Sequence, residues 1–167
     1  SLLNVECRAV LNDITLLCKK SVSVTLHYFN INQQPGKKMH VYVGRLRRNL
    51  VPDIINDFKR DVTPNFIQWI NGSFVSRKEN PKDIDFLTII DFQIYEAKAK
   101  LIDNQFRNPI AKAKYILDAY TLKSYPLGHK NHYITECDLL YWENWFGRTK
   151  MNRAKKKFSK GFIQIQF

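Results

Sequence analysis

The stretch GSFVSRKENPKDID, residues 72–85, carries the pattern that predicts both the fold and the site of this chain. A Gly-Ser pair is followed, after nine residues, by Asp83 and Asp85, which flank a single isoleucine. The apolar, β-branched run IDFLTIIDF (84–92) predicts a strand, in which residues two apart point to the same face. The carboxylates of Asp83 and Asp85 are therefore expected to lie side by side.

Two neighbouring carboxylates require a compensating charge. At an effective dielectric of about 20, two negative charges about 4 Å apart repel each other by roughly 4 kcal/mol. Protonation, basic neighbours or a bound cation offset this repulsion, and carboxylates beside a phosphate suit Mg²⁺. Gly72 permits a tight turn, and Ser73 offers a hydroxyl and a backbone N–H to a triphosphate. Arg77 and Lys78, in the same loop, either contact phosphate or are only solvated.

The composition is that of one globular domain with a strong positive charge. The 167 residues carry 27 Lys and Arg against 15 acids, a formal net charge of +12. This surplus favours a polyanionic partner, although it also serves solubility alone. No apolar run is long enough to span a membrane. Cys7, Cys18 and Cys137 match neither a zinc spacing nor a disulfide framework, so a reduced, cytoplasmic location is expected. His129 and His132 lack further zinc ligands at a supporting spacing.

The remaining periodicities predict that strands alternate with helices. A strand pair or loose hairpin is expected within residues 21–43, and the segment FIQWI (66–70) is either a strand or a helix end. Helices are expected within 46–62, 95–106 and 137–147, the last closed by Gly147, and strands at 84–92, 115–122 and 162–167, the last at a sheet edge. The predicted fold class is α/β (α+β), a small mixed β-sheet with flanking helices.

Four stretches together resemble one family: FIQWINGSFVSRKENPKDIDFLTIID (66–91), DAYTLKSYP (118–126), YWENWFGRTK (141–150) and KGFIQIQF (160–167). The Gly-Ser pair, its spacing and Asp-Ile-Asp resemble the signature of the nucleotidyltransferase superfamily related to DNA polymerase β. The whole is similar to a small bacterial nucleotidyltransferase-like branch. This resemblance covers about residues 45–167 of a single domain of residues 1–167, and it leaves residues 1–44 as an N-terminal extension of unassigned role.

The resemblance implies a set of site residues. Its catalytic and metal-binding carboxylates are Asp83, Asp85 and Asp118, which would hold a pair of Mg²⁺ or Mn²⁺ ions. Its nucleotide-binding residues, around the Gly-Ser turn, are Gly72, Ser73, Arg77 and Lys78. The implied reaction moves a nucleoside monophosphate from an NTP, such as ATP, to a hydroxyl on RNA (transfer RNA included), protein or a small molecule.

The resemblance also implies a setting, because small members of the superfamily often act in toxin–antitoxin pairs. A toxin–antitoxin or defence role is therefore expected, with a dimer or a partner protein supplying the acceptor surface that a short chain lacks. The alternative function is a catalytically silent module that binds RNA or protein on the same fold.

Several residues keep two interpretations. Asp118 is either a metal ligand or a solvent-facing acid, and the competing third acids, Asp138 and Glu96, lie in predicted helices. Residues 148–160 hold seven basic residues and no acid, which suits either a solvated loop or a polyanion contact, and these extra lysines depart from the family pattern. Three aromatic residues lie near the end of the last predicted helix, namely Trp142, Trp145 and Phe146. Their spacing favours packing in the core over stacking on bases.

Overall fold

The computed structural model describes residues 23–27, 50–73 and 84–167. In those ranges, five strands form one mixed sheet in the order β1-β5-β2-β3-β4, and β3 and β4 are its parallel pair. The strands are β1 (Ser23–His27), β2 (Ile67–Gly72), β3 (Ile84–Asp91), β4 (Asp118–Ser124) and β5 (Phe162–Gln166). The helices are α1 (Leu50–Asp61), α2 (Phe92–Gln105), α3 (Ile110–Tyr115) and α4 (His132–Phe146). The predicted mixed sheet with flanking helices is confirmed.

Helices cover the sheet on both faces, and strand β3 contributes to both cores. Phe86 belongs to the larger cluster, which includes residues of α1, α2 and α3. Leu87 belongs to the smaller cluster, to which α4 contributes Phe146. Neither Phe86 nor Leu87 is exposed to solvent. A strand that is buried on both faces reads as a continuous apolar run, which is why β3 was easily recognised in the sequence.

The last strand differs from the sequence-based expectation. Strand β5 was expected at a sheet edge, yet it lies between β1 and β2 and pairs antiparallel with both. Phe162 and Ile163, the first two residues of β5, are both buried, because each faces one of the two cores. The early segment supplies β1, whereas the second strand expected near residues 39–43 lies outside the described residues.

Strand β4 begins later than expected because a short helix precedes it. The strand was expected from residue 115, but residues 110–115 form α3, in which Ala and Lys are good helix formers. The Tyr115 hydroxyl donates a hydrogen bond to Asp57 Oδ2 at 2.6 Å, which ties α3 to α1. Ile116 then ends the helix with φ 57°, and β4 begins at Asp118. This arrangement places Asp118 within reach of side chains on α3.

Helix α4 starts earlier than the sequence pattern indicated. It begins at His132, not at residue 137, and it ends before Gly147, whose N–H bonds to the Glu143 carbonyl at 2.7 Å. Gly147 has φ −74°, so this helix does not end with the left-handed glycine that is common at helix ends. Gly147 therefore keeps a nearly helical backbone conformation, and the basic segment 148–160 follows it directly.

Candidate functional site

Oxygen-bearing side chains form a row across three adjacent strands. Asp85 of β3 is the register partner of Asp118 on β4, and Asn71 of β2 is the register partner of Asp85. Neighbouring strands lie about 4.8 Å apart, and residues in register share a face of the sheet. Asp118 is the first residue of its strand and Asp85 the second of its own. The pair that sequence reasoning placed on two separate strands is thus brought together.

Asn71 is a member of this row that sequence reasoning did not single out. Its side chain is 1% exposed, and its Nδ2 donates to the Phe146 carbonyl at 2.9 Å. That bond fixes the orientation of the amide, because a carbonyl accepts only from the NH₂ side. Asn71 Oδ1 has no hydrogen-bond partner in the part of the chain that the structure describes. A buried acceptor without a partner costs about 1–3 kcal/mol, so a cation or a donor at this position would be favourable.

Asp118 already has two partners that neutralise and orient its carboxylate. Lys112 Nζ lies 2.9 Å from Oδ1 and 3.1 Å from Oδ2. Asn108 Nδ2 donates to the same Oδ1 at 3.0 Å, while Asn108 Oδ1 accepts from the Ala119 N–H. The hydrogen bond and charge of Asp118 raise the pKa of Lys112, to which Asp85 adds a smaller contribution. An ammonium group therefore supplies the positive charge that the acid row requires.

Tyr120 adds a hydroxyl near the acid row. It lies two residues after Asp118 on β4 and therefore on the same face. Burial raises the pKa of Tyr120, and the negative charges of Asp118 and Asp85 raise it further. The phenol therefore keeps its proton at neutral pH and is a hydrogen-bond donor. Its ring centroid lies 4.8 Å from that of Trp142, so α4 closes this side of the site.

The Gly-Ser turn lies at the end of β2, next to the acid row. Gly72 is the last residue of the strand and is paired with Ile84, and its φ of 93° favours glycine. Its carbonyl accepts a hydrogen bond from Lys160 Nζ at 3.4 Å. Ser73 follows directly and is half-buried. The turn predicted at residues 72–73 is therefore placed beside Asp85.

Other predicted site residues are not described by the structure. Asp83, Arg77 and Lys78 lie outside the described residues. The place of Asp83 beside Asp85, and the phosphate contacts of Arg77 and Lys78, therefore stay predictions. In residues 53–73 and 84–167, no three or more His, Cys, Asp or Glu side chains are grouped to hold a metal ion. The row there consists of Asp85, Asp118 and the Asn71 amide. This all-oxygen set fits a hard cation such as Mg²⁺.

The acids that compete with Asp118 as the third carboxylate, and the two histidines considered for zinc, lie elsewhere. Glu96 and Asp138 are exposed on helices, as expected, and Glu96 pairs with Lys123 at 2.8 Å. His129 stacks on Tyr125 with ring centroids 4.9 Å apart, and His132 Nδ1 lies 2.7 Å from the Tyr125 carbonyl. These contacts explain both histidines without a metal.

The aromatic residues of α4 do not all serve the core. Phe146 is fully buried and Trp142 is half-buried against the same cluster, in agreement with the expected core role. Trp145 is 50% exposed, so the core prediction is wrong for this residue. Leu139, Trp142 and Phe146 of α4 pack in this cluster, whereas Trp145 stacks on Trp142.

Comparison with known proteins gives a family but no activity. Residues 17–166 match the model of a family described as a family of unknown function, DUF6932. No curated protein and no solved structure matches the chain. Among the residues that the structure covers, no helix has the length and apolar character to cross a bilayer.

Proposed function

We propose that this chain, which belongs to the DUF6932 family of unknown function, is a metal-dependent nucleotidyltransferase. The observation that carries the proposal is the row of Asn71, Asp85 and Asp118 across three neighbouring strands, beside the Gly72–Ser73 turn. The unpartnered, buried oxygen of Asn71 supports a ligand at this position, because nothing in the described chain satisfies it.

The proposed reaction joins an acceptor hydroxyl to the α-phosphorus of an NTP. The new O–P bond forms as the bond from the α-phosphorus to pyrophosphate breaks, and the hydroxyl proton passes to a base. Asp85 and Asp118 are the proposed cation ligands, with Asp83 as a further ligand by resemblance. Asp118, which lies at the start of β4, is also the proposed base. Divalent cations at these carboxylates supply charge neutralisation and a lowered acceptor pKa. Gly72, Ser73, Arg77 and Lys78 are the proposed triphosphate contacts.

The setting follows from the resemblance and from composition. The proposed acceptors are RNA (transfer RNA included), a partner protein or a small molecule, in a toxin–antitoxin or defence role. We place the protein in the cytoplasm, since its three scattered cysteines suit a reduced compartment. A dimer or a partner protein is proposed to supply the acceptor surface.

The first test is thermal unfolding with Mg²⁺ and each of the four ribonucleoside triphosphates. A ligand at about 100 times its Kd stabilises the folded state by about 2.7 kcal/mol, which raises Tm by roughly 5–10 °C in a domain of this size. We expect this shift with at least one NTP, and its loss when EDTA replaces Mg²⁺. Equal shifts with inorganic triphosphate, or no shift at all, contradict the proposal.

A catalytically silent binding module is the second candidate, and one observation favours it. Lys112 and Asn108 satisfy the Asp118 carboxylate within the folded chain, so this acid has a structural explanation that needs no metal. A silent module and an enzyme differ in what happens when the ammonium group is removed.

Lys112→Gln separates the two candidates. If Asp118 is a cation ligand, removing its ammonium partner leaves the acid row more negative, and Mn²⁺ without nucleotide should bind about tenfold more tightly. Electron paramagnetic resonance of free Mn²⁺ measures this affinity directly. Lys114→Gln is the matched control, because Lys114 lies on the same helix and pairs with Asp57. An unchanged Mn²⁺ affinity in Lys112→Gln supports the silent module.

A further inference from the structure

We infer that the end of α4 and the basic hairpin, residues 148–160, form a surface that binds single-stranded RNA. The role of this RNA as acceptor rests on the proposed function, whereas the binding itself does not. Four features of the hairpin support this surface: its hydrogen-bonded conformation, its six exposed basic side chains, the exposed aromatic residues beside it, and its attachment to the acid row.

The basic hairpin is a folded structure. Arg148 and Ser159 form an antiparallel bridge, and the Thr149 N–H bonds to the Phe158 carbonyl at 2.8 Å. The Phe158 N–H donates a hydrogen bond to Thr149 Oγ1 at 2.9 Å. At the tip, the Asn152 N–H bonds to the Lys156 carbonyl at 2.9 Å. The hairpin therefore presents its charges from a hydrogen-bonded backbone.

Most of the charge of the basic hairpin is not neutralised by acids in the described part of the protein. It holds seven of the chain's 27 Lys and Arg and no acid. Several basic residues elsewhere pair with acids, as Arg60 does with Asp57 and Arg107 with Asp103. In the hairpin, six exposed basic side chains make no ion pair with any described acid, namely Arg148, Lys150, Arg153, Lys155, Lys156 and Lys157. Such a concentration attracts a polyanion through release of its counterions.

Aromatic side chains are exposed beside these charges. Tyr141 is 55%, Trp145 50% and Phe158 57% exposed. Trp145 stacks on Trp142 with centroids 5.7 Å apart and planes 30° apart, and Tyr141 meets both indoles edge-on. Aromatic faces next to a basic track are what unpaired bases stack on. Helix α4 has exposed acids at Glu136 and Asp138, and a half-buried one, Glu143, near its end, so we confine the contact to its last two turns.

The surface is directly connected to the acid row. Lys160, the last residue of the basic hairpin, donates from Nζ to the Gly72 carbonyl at 3.4 Å, and its N–H bonds to Gly147. Phe146, the last residue of α4, accepts from Asn71. An RNA on the hairpin and Trp145 therefore lies beside the residues proposed to hold the NTP. Single strands are favoured over duplexes, because base faces inside a duplex are not free to stack.

The charge part of the inference is tested by fluorescence anisotropy with a labelled 12-nucleotide oligouridine and the full chain at several salt concentrations. Lys156→Gln/Lys157→Gln should weaken binding about tenfold and reduce the slope of log affinity against log salt by roughly 1.4. Lys100→Gln/Lys130→Gln, a matched pair of exposed lysines elsewhere, should change neither. Equal losses in both pairs overturn the assigned surface.

The stacking part is tested with the same probe. Trp145→Ala should weaken binding roughly tenfold or more, since a base stacked on an aromatic ring is lost. The control is Leu127→Ala, which removes an exposed apolar side chain from a loop. Tighter binding of duplex RNA, or binding only to an acidic protein or to phosphatidylserine vesicles, overturns the inference.

The inference and the proposed function can fail separately. In Asp85→Asn, RNA binding should equal that of the wild type, because Asp85 is not part of the surface. RNA binding without nucleotide transfer by the wild type refutes the proposed function and leaves the surface in place. Transfer to a small molecule without RNA binding refutes the surface alone.

Discussion

Asp85→Asn is expected to lower nucleotide transfer at least about 100-fold while the protein stays folded. Asparagine keeps the shape of the side chain and removes the negative charge that a divalent cation requires. Asp85 is only partly buried, at the second position of β3, so the substitution opens no cavity. The measurement is Mg²⁺-dependent release of pyrophosphate from the NTP that stabilises the protein, with total RNA as the acceptor.

Asp103→Asn is the matched control for this prediction. Asp103 is an acid of α2 that pairs with Arg107 at 2.7 Å, and half of its side chain is exposed. Such a surface pair contributes about 0–1 kcal/mol, so its loss should leave transfer within about twofold of the wild type. The metal site is refuted if Asp85→Asn is folded and retains full activity, or if both variants lose activity equally.

A substitution at Asp118 is harder to interpret. Replacing Asp118 also breaks its bonds to Lys112 and Asn108, and Asn108 in turn holds the Ala119 N–H. Loss of activity in that variant therefore mixes chemistry with a local change at the start of β4. The two acids share a register position but not the same surroundings.

The sequence predicted that both acids lie on strands but did not indicate their partners, for a physical reason. Asp85 and Asp118 begin apolar strands, and a buried strand is a strong local signal. Lys112 lies on the short helix α3, where six residues are too few to show a periodicity. Its contact with Asp118 depends on the turn at Ile116, which no local pattern indicates. The positive charge that Lys112 places beside Asp118 could therefore not be predicted from the sequence.

Asn71 was missed, and β5 was predicted as a strand but wrongly placed at a sheet edge, because both roles depend on distant pairings. An Asn before Gly-Ser reads as part of a turn. Its place in the acid row comes from the pairing of β2 with β3, and its bond goes to Phe146 on α4. The alternation in FIQIQF likewise suggests an edge strand, and only the pairing with β1 makes β5 internal. The hydrogen-bond partner of a strand edge is not encoded in its own residues.

Phe146→Ala should have a large effect on stability, and this residue also connects the smaller core, the acid row and the basic hairpin. The side chain is 0% exposed and meets the rings of Trp142 and Phe162 at 5.4 and 5.9 Å between centroids. Truncating a buried phenylalanine costs about 3–5 kcal/mol, through lost transfer energy and the cavity left behind. Urea unfolding should show a loss in this range, and Tm should fall on the order of 10 °C.

Phe146→Ala should also weaken the binding of both ligands, Mg²⁺ with NTP and RNA. This is measured where the variant is still folded, for example at 10 °C. The backbone carbonyl of Phe146 holds Asn71, and the adjacent Gly147 carbonyl holds Lys160. A cavity beneath these carbonyls loosens both contacts, so affinity for Mg²⁺ with NTP and for RNA should fall together. Phe58→Ala is the matched control, since Phe58 is equally buried but packs in the other core, against Phe66 and Phe106. A comparable stability loss in Phe58→Ala with unchanged affinities shows that the effect of Phe146 is local; equal weakening in both variants refutes the coupling.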